Sequence, residues 1–123
     1  MASVPILAVD DHPTNLKLIA TLLASMGYQV QTARDGIEAL EAVQRSRPPL
    51  ILMDLQLPGI DGFELTRRLK ADPETRDIVI IAVTAYAMKG DEQKALAAGC
   101  DGYLSKPIDR KLLMEMLARY LPG

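Results

Sequence analysis

Five side chains that can do chemistry follow short apolar runs of the sequence. They are three aspartates, a threonine and a lysine: Asp10, Asp11, Asp54, Thr84 and Lys106. Three carboxylates placed together repel one another unless a cation joins them, and an all-oxygen site of this kind suits a hard divalent ion such as magnesium. The hydroxyl and the ammonium can then bind phosphoryl oxygens. Together the five residue types indicate phosphorylation of an aspartate.

Each of these residues also has an ordinary explanation. Asp10 and Asp11 are good helix N-caps, and an aspartate such as Asp54 commonly opens a turn. Thr84 is a typical β-branched strand residue, and Lys106 can be a solvated loop residue. The functional interpretation becomes the better one only if all five lie at the same edge of one sheet.

The alternation of short apolar runs with longer amphipathic ones predicts that arrangement. It repeats five times, with strands near residues 6–9, 28–33, 50–53, 78–83 and 103–104. Near-continuous apolar strands separated by helices indicate a parallel sheet covered on both faces. We therefore predict one α/β domain over residues 1–123, a flavodoxin-like doubly wound (βα)5 three-layer sandwich with strand order 2-1-3-4-5. Ligands of such sheets bind where the strand order reverses, here between strands one and three.

Residues that commonly begin or end helices predict the helix boundaries, and stripes of apolar residues at helical spacing predict the buried faces. Pro13 suits a first helical turn, Gly27 and Gly99 suit helix ends, and aspartates suit the other helix starts: Asp35, Asp61, Asp91 and Asp109. The expected buried stripes of helices one, two and five are Leu16, Ile19, Ala20 and Leu23; Ile37, Leu40 and Val43; and Leu112, Leu113, Met116, Leu117 and Tyr120.

Composition excludes several classes of protein. The chain has 123 residues, a formal net charge of −2 and one cysteine, Cys100, which rules out an internal disulfide and a multi-cysteine zinc site. No apolar run reaches the roughly 20 residues of a membrane span, and no secretory signal is visible. The near-neutral charge argues against nucleic-acid binding. Neither phosphate-cradling glycine motif occurs, so nucleotide binding is disfavoured. A cytoplasmic domain without membrane insertion is expected.

These residues resemble the receiver domain of bacterial two-component response regulators over essentially the whole chain. The matching motifs are the acidic pair Asp10-Asp11, Met53-Asp54 followed by Leu57-Pro58-Gly59 and Asp61-Gly62, then Val83-Thr84-Ala85 and Lys106-Pro107. The sequence is most similar to receivers of hybrid histidine kinases and to single-domain regulators of the DivK type. Residues 84–91 resemble both subgroups, and residues 10–15 resemble the former.

The resemblance implies a role for each site residue. Asp54 would be the phosphoacceptor, and magnesium, which manganese can replace, would be held by Asp11, Asp54 and the Gln56 backbone oxygen, with Asp10 acting through a water. Lys106 and Thr84 would bind phosphoryl oxygens. Tyr103 would be the switch aromatic that moves with Thr84, and the Lys106-Pro107 bond would be cis. Such a domain takes part in its own phosphorylation and dephosphorylation without being an enzyme for another substrate.

The resemblance also implies two partner surfaces. Helix one, with Asn15, Leu18 and Leu22, would dock the phosphodonor, a sensor histidine kinase or a histidine phosphotransfer protein. The face formed by helix four, strand five and helix five would engage a downstream protein effector, through Met88, Lys89, Lys94, Tyr103 and Arg110. Direct binding to nucleic acid is not expected. The expected location is the cytoplasm; the alternative is that the domain is the cytoplasmic part of a membrane-anchored hybrid kinase.

Two other functions compete with this interpretation. A haloacid-dehalogenase-like phosphatase also uses an aspartate and magnesium, but its second aspartate would stand where Gln56 is found. A phosphorylation-independent interaction module usually lacks one of the acids or the lysine, and none is lacking here.

Among the remaining residues, His12 is expected to be a solvated loop residue and Cys100 a small buried one. Tyr86 is hypothesised to shield the acyl phosphate from water.

Overall fold

The computed structural model describes residues 4–57, 59–84, 90–106 and 108–121, together with the backbone but not the side chain of Asp91. Strands and helices alternate strictly along the chain. Their bounds are β1 Pro5–Val9, α1 Pro13–Ser25, β2 Gln29–Ala33, α2 Gly36–Ser46, β3 Leu50–Asp54, α3 Gly62–Ala71, β4 Val79–Thr84, α4 Asp91–Ala98, β5 Gly102–Ser105 and α5 Arg110–Tyr120. Among the described residues, none of the helices combines the length and the apolar character that a membrane span requires.

The five strands form one parallel sheet in the order β2-β1-β3-β4-β5. In the register, Val9 of β1 stands beside Met53 of β3, and Asp54 stands beside Val83. At the far side Thr84 pairs with Ser105. All strands therefore end at the same edge of the sheet. The predicted flavodoxin-like (βα)5 fold and its strand order are confirmed.

The sheet has a core on each face, because successive strand residues point to opposite sides. Ile6, Ala8, Leu50 and Leu52 pack with buried residues of α1 and α5. Their neighbours Leu7, Val9, Ile51 and Met53 pack with residues of α2, α3 and α4. Every residue of β3 is buried, so the strand that ends in Asp54 is held from both sides.

Most of the expected helix starts and ends are found. Pro13 opens α1, and the side chains of Asp35, Asp61 and Asp109 accept backbone N–H groups of the first turns of α2, α3 and α5. Gly27 and Gly99 have positive φ angles at the ends of α1 and α4. The expected cap Asp91 is wrong. That residue is the first of α4, and the N-cap is Gly90, whose φ of 95° suits glycine.

Two expected buried stripes are partly wrong. Ile37 and Leu112 are 65% and 51% exposed. The helix faces turned to the sheet are those of Ala39, Ala42 and Val43 in α2 and of Leu113 and Leu117 in α5. At about 100° per residue, Ile37 lies nearly opposite Ala39, and Leu112 is turned well away from Leu113. The stripe of α1 is as expected except that Ala20 is only partly buried.

Two Asp-Gly pairs place a glycine at the first position of a helix, and the two glycines differ in what surrounds them. A Cβ on Gly62 would lie 2.7 Å from the Cα of Leu55 and closer still to the backbone oxygen of Asp54. A Cβ on Gly36 would lie 3.2 Å from the Cβ of Ile60 and 3.5 Å from the backbone oxygen of the same residue, which is a much less severe approach. The start of α3 thus packs directly on the backbone that carries Asp54.

Gly62→Ala is therefore predicted to lower the free energy of unfolding by about 1–3 kcal/mol, because backbone atoms must shift to admit the methyl group. Gly36→Ala is the matched control and is expected to change it by less than about 1 kcal/mol, since Ile60 lies in a loop and has to give way by only a few tenths of an ångström. Urea unfolding followed by far-ultraviolet circular dichroism measures both. Equal losses in the two variants would contradict the close approach at Gly62.

Candidate functional site

The predicted site residues come together at the carboxyl edge of the sheet. Asp10 follows β1 and is fully buried, Asp54 ends β3 at 4% exposed, and Thr84 ends β4 at 1% exposed. Lys106 follows β5 and is partly buried, and Asp11 is also partly buried. The five residues come from four different strand ends. The parallel sheet is what makes them neighbours.

Lys106 lies between the two buried carboxylates. Its Nζ is 2.7 Å from Oδ2 of Asp10 and 3.5 Å from Oδ2 of Asp54. Its backbone N–H also donates to the carbonyl of Thr84 at 2.7 Å, which fixes the start of the lysine side chain against β4. One ammonium group therefore serves two carboxylates, with the shorter contact to Asp10.

Backbone N–H groups hold the other oxygen of each carboxylate. The N–H of His12 donates to Oδ1 of Asp10 at 2.9 Å, and the N–H of Gln56 donates to Oδ1 of Asp54 at 3.0 Å. Both bonds reach two residues forward along the chain, a local turn typical of aspartate. Within the described residues, no buried side-chain nitrogen or oxygen lacks a hydrogen-bond partner.

Burial and charge shift the pKa values of Asp54 and Lys106. Burial raises the pKa of Asp54, and the bond from Gln56 and the charge of Lys106 only partly oppose it, while Asp10 adds to the rise. Burial alone would lower the pKa of Lys106, but its hydrogen bond to Asp10 and the charge of Asp54 raise it overall. The folded chain thus holds a proton on Asp54 more tightly than the unfolded chain does. Ionised Asp54 therefore destabilises the fold, and this cost disappears as the pH falls through the folded pKa.

The donor set fits a hard divalent cation. Asp10, Asp11 and Asp54 bring three carboxylates to the site, and among the described residues the ammonium group of Lys106 contacts those of Asp10 and Asp54. Ligand atoms of Asp10, Asp11 and His12 all lie within 4.8 Å of one another. Asp54 is outside that group and is joined to it through Lys106. Carboxylate oxygens with negative charge in excess are what magnesium requires.

The two predicted switch residues occupy different surroundings. Thr84 is buried at the end of β4. Tyr103, in β5, is half-buried and packs against the core cluster on the α2–α4 side of the sheet. The two residues lie on adjacent strands, two register positions apart, because Tyr103 pairs with Ala82 and Ser105 pairs with Thr84. This is the adjacency that a coupled movement would need.

An apolar groove runs along α1, and it brings the predicted docking residues together. Leu18 is 64% exposed, and Asn15 and Leu22 are partly buried beside it. The groove is lined by Asn15, Leu18, Ile19, Leu22, Lys106 and Ile108, so one of its walls is the lysine of the site. Ile19 and Ile108 also line the groove, although in the sequence both are ordinary apolar positions that carry no signal of this role.

The predicted output residues are only partly described. Lys94 is exposed on α4, and Met88 and Lys89 lie outside the described residues, as do Tyr86, Pro58 and Pro107. Arg110 is exposed and lines a second groove with Lys17, Leu18 and Leu22 of α1. Arg110 is thus placed beside the predicted phosphodonor face, although it also begins α5.

His12 is solvent-exposed, as expected, yet its ring faces the acidic pair. The side chain is 70% exposed, and Nδ1 is 3.1 Å from Oδ1 of Asp11. Asp10, Asp11 and His12 are consecutive in the sequence, and this adjacency is the feature from which the contact could have been predicted.

Cys100 is buried beside Thr66, and burial raises the pKa of its thiol. It is therefore not a reactive thiol.

Comparison with known proteins identifies the family. The response regulator receiver domain family matches residues 6–118. The polar-differentiation response regulator DivK of Brucella anthropi is 46% identical over 116 residues, covering 94% of each chain.

Two solved structures are similar over nearly the whole fold. The receiver domain of the sensor histidine kinase PA1611 from Pseudomonas aeruginosa, which has a magnesium ion coordinated in its active site cleft, superposes with a TM-score of 0.89 at 42% identity, covering 97% of this chain and 98% of that one. The receiver domain of Saccharomyces cerevisiae Ssk1, crystallised with the histidine phosphotransfer protein Ypd1, matches with a TM-score of 0.87 at 26% identity, covering 96% of this chain and 88% of that one.

The family match spans most of the chain, and the buried acids and the lysine stand at the strand ends that the fold makes adjacent. Neither competing function is favoured by these matches. The chain belongs to the response regulator receiver domain family and is a DivK-like phosphoacceptor signalling switch of two-component systems.

Proposed function

We propose that residues 1–123 form one receiver domain in which Asp54 accepts a phosphoryl group from a phosphohistidine. The observation that carries the proposal is the buried pair Asp10 and Asp54 with Lys106 between them. An oxygen of Asp54 attacks phosphorus, the P–N bond breaks, and its electron pair returns to the imidazole of the donor. The reaction leaves an acyl phosphate on a strand end that both core layers hold in place.

Asp11, Asp54 and the backbone oxygen of Gln56 are proposed to hold magnesium, with Asp10 acting through a water. When bound, the ion neutralises charge that develops on the phosphoryl oxygens. The magnesium in the cleft of the PA1611 receiver supports this assignment. Manganese, which also prefers carboxylate and carbonyl oxygens, is proposed to replace magnesium.

Lys106 and Thr84 are proposed to bind the transferred group. The weaker contact of Lys106, 3.5 Å to Asp54, is the one that a phosphoryl oxygen on Asp54 can replace, while the 2.7 Å contact to Asp10 keeps the lysine in place. Thr84 donates its hydroxyl to a second phosphoryl oxygen, and Tyr103 on the neighbouring strand follows that movement. The changed surface of α4, β5 and α5 then engages a downstream protein effector.

The assignment of Asp54 predicts that acetyl phosphate with magnesium adds one phosphoryl group to the chain, detected by intact mass spectrometry. Asp54→Asn should abolish the adduct, and removal of magnesium with a chelator should suppress it. Asp61→Asn is the matched control, because Asp61 is an exposed helix cap on the same loop and asparagine also caps helices. An adduct of undiminished yield in Asp54→Asn would show that another residue is the acceptor.

The phosphodonor is proposed to dock on α1. The exposed Leu18 lies in an apolar groove whose wall includes Lys106, so a partner seated there is next to the acceptor. The Ssk1 receiver, which shares this fold, crystallises with the phosphotransfer protein Ypd1. A sensor histidine kinase or a histidine phosphotransfer protein is therefore the proposed partner of this groove.

Leu18→Asp is predicted to slow phosphoryl transfer at least tenfold from a histidine phosphotransfer protein that phosphorylates the wild-type chain, because it places a charge in the apolar contact. Transfer from acetyl phosphate should be unchanged. Ile37→Asp is the control, since Ile37 is an equally exposed apolar residue on α2, on the other side of the sheet. Transfer is timed with labelled donor. Equal slowing in both variants, or slowing with acetyl phosphate as well, would contradict docking on α1.

A further inference from the structure

A second groove runs along α1 beside the apolar one. The two grooves share Leu18 and Leu22, which form the apolar strip of α1. The other lining residues of the second groove are three hydroxyl side chains and two cations: Thr14, Thr21, Ser25, Lys17 and Arg110. Lys106 lines the first groove. Cations therefore line both of the grooves that meet at the apolar strip.

This face of the molecule is free of acidic side chains. Among the described residues, no Asp or Glu lines either groove, and Lys17 is the one charged residue of α1. Asp109 precedes Arg110 in the sequence, but its carboxylate accepts the backbone N–H groups of Lys111 and Leu112. A chain with 16 acids and 14 bases thus presents a locally positive face at α1.

Lys17 and Arg110 have no acidic partner within the described part of the chain. Both side chains are exposed, and neither makes an ion pair with another described residue. Arg47, which is also exposed, does find an acid, because it contacts Glu74 at 3.1 Å. The two cations of the second groove are therefore available to the charges of another molecule.

A protein that packs on the apolar strip also covers these cations. Leu18 is 64% exposed and lines both grooves, so a surface seated on it approaches Lys17 and Arg110. Removing a charge from water is costly unless an opposite charge pairs with it. A partner without an acid at this place leaves two cations partly desolvated, whereas an acid there forms ion pairs at the rim of the contact.

We propose that the phosphodonor docked on α1 carries an Asp or Glu beside its apolar contact, and that Lys17 and Arg110 recognise this acid. The inference deepens the proposed docking on α1 and rests on it. The two leucines supply the apolar contact, and the two cations favour acidic donors over donors with a basic residue at the same place. Arg110, expected from the sequence to belong to the output surface, is thereby assigned to the phosphodonor face.

The test is phosphoryl transfer from a histidine phosphotransfer protein that phosphorylates the wild-type chain, timed with labelled donor at two salt concentrations. Attraction between charged surfaces raises association rates by about 10–1,000-fold and is screened by salt. The double variant Lys17→Glu, Arg110→Glu should therefore lower the second-order rate constant about tenfold or more at about 0.02 M salt. The loss should shrink to less than about threefold at about 0.5 M salt.

The matched control is Arg45→Glu, Arg68→Glu, which changes the net charge equally at exposed positions of α2 and α3, on the other side of the sheet. It should stay within about threefold of wild type at both salt concentrations, since exposed charges farther apart than a Debye length are largely screened. Phosphorylation by acetyl phosphate should be nearly unchanged in both double variants. Glu suits the first turn of α5, and thermal melts check that the variants fold.

A charge exchange identifies the acid on the donor. Each Asp and Glu around the phosphohistidine is replaced by Lys in turn, and one such donor should be slow with the wild-type chain and faster with Lys17→Glu, Arg110→Glu. Charge recognition is overturned if no donor variant behaves in this way. It is also overturned if the double variant loses nothing, or loses the same factor at both salt concentrations.

The failure of this inference is distinguishable from that of the docking proposal. If Leu18→Asp slows transfer but the charge reversal does not, docking on α1 stands and recognition of an acid by Lys17 and Arg110 is wrong. If Leu18→Asp has no effect, docking on α1 is wrong, and this inference with it. Sedimentation should show a monomeric wild-type chain. A dimer that Lys17→Glu, Arg110→Glu dissociates would make a second copy the occupant of this face and would overturn the proposal.

Discussion

Two buried carboxylates share the ammonium group of Lys106, so their negative charge is only partly balanced. The behaviour of the whole site depends on this incomplete pairing. Asp10 and Asp54 are nearly inaccessible to solvent, and the Nζ of Lys106 contacts the former at 2.7 Å and the latter at 3.5 Å. Burying a charge is costly unless it is paired and hydrogen-bonded. Asp10 is paired at the shorter distance and Asp54 at the longer one. Burial raises the pKa of Asp54, because the hydrogen bond from Gln56 and the charge of Lys106 oppose it only in part. The carboxylate with the weaker pairing is the one that benefits most from a metal ion or a phosphoryl group.

The fold maintains this arrangement by making strand ends meet. The sheet order puts β1 and β4 on either side of β3, so Asp10 and Thr84 flank the end of the strand that carries Asp54. The two core layers bury β3 on both faces, and Gly62 lets the start of α3 pack on the backbone of Asp54. The backbone of Asp54 is therefore closely packed on several sides, while Thr84 and Tyr103, the residues proposed to respond to phosphorylation, lie on the strands β4 and β5.

Much of this was predictable from local patterns in the sequence. The apolar runs and caps predict the (βα)5 order, and the strand ends then predict that Asp10, Asp54 and Lys106 meet. What could not be predicted depends on angles and distances. Ile37 and Leu112 are exposed because a helix turns about 100° per residue, and a few apolar residues at helical spacing do not fix which of them face the sheet. Likewise, the closer pairing of Lys106 with Asp10 and the position of the His12 ring follow from side-chain geometry, which residue type alone does not determine.

The incomplete pairing of Asp54 is tested most directly by the free energy of unfolding. It is measured at pH 7 for the wild-type chain and for Asp54→Asn, each with and without magnesium. Without the ion, the variant should be more stable by on the order of 1 kcal/mol, because it removes a buried and incompletely paired charge. Magnesium at about 100 times its dissociation constant should stabilise wild type by about 2.7 kcal/mol and the variant much less. A less stable variant without magnesium, with both chains gaining equally from the ion, would contradict the account.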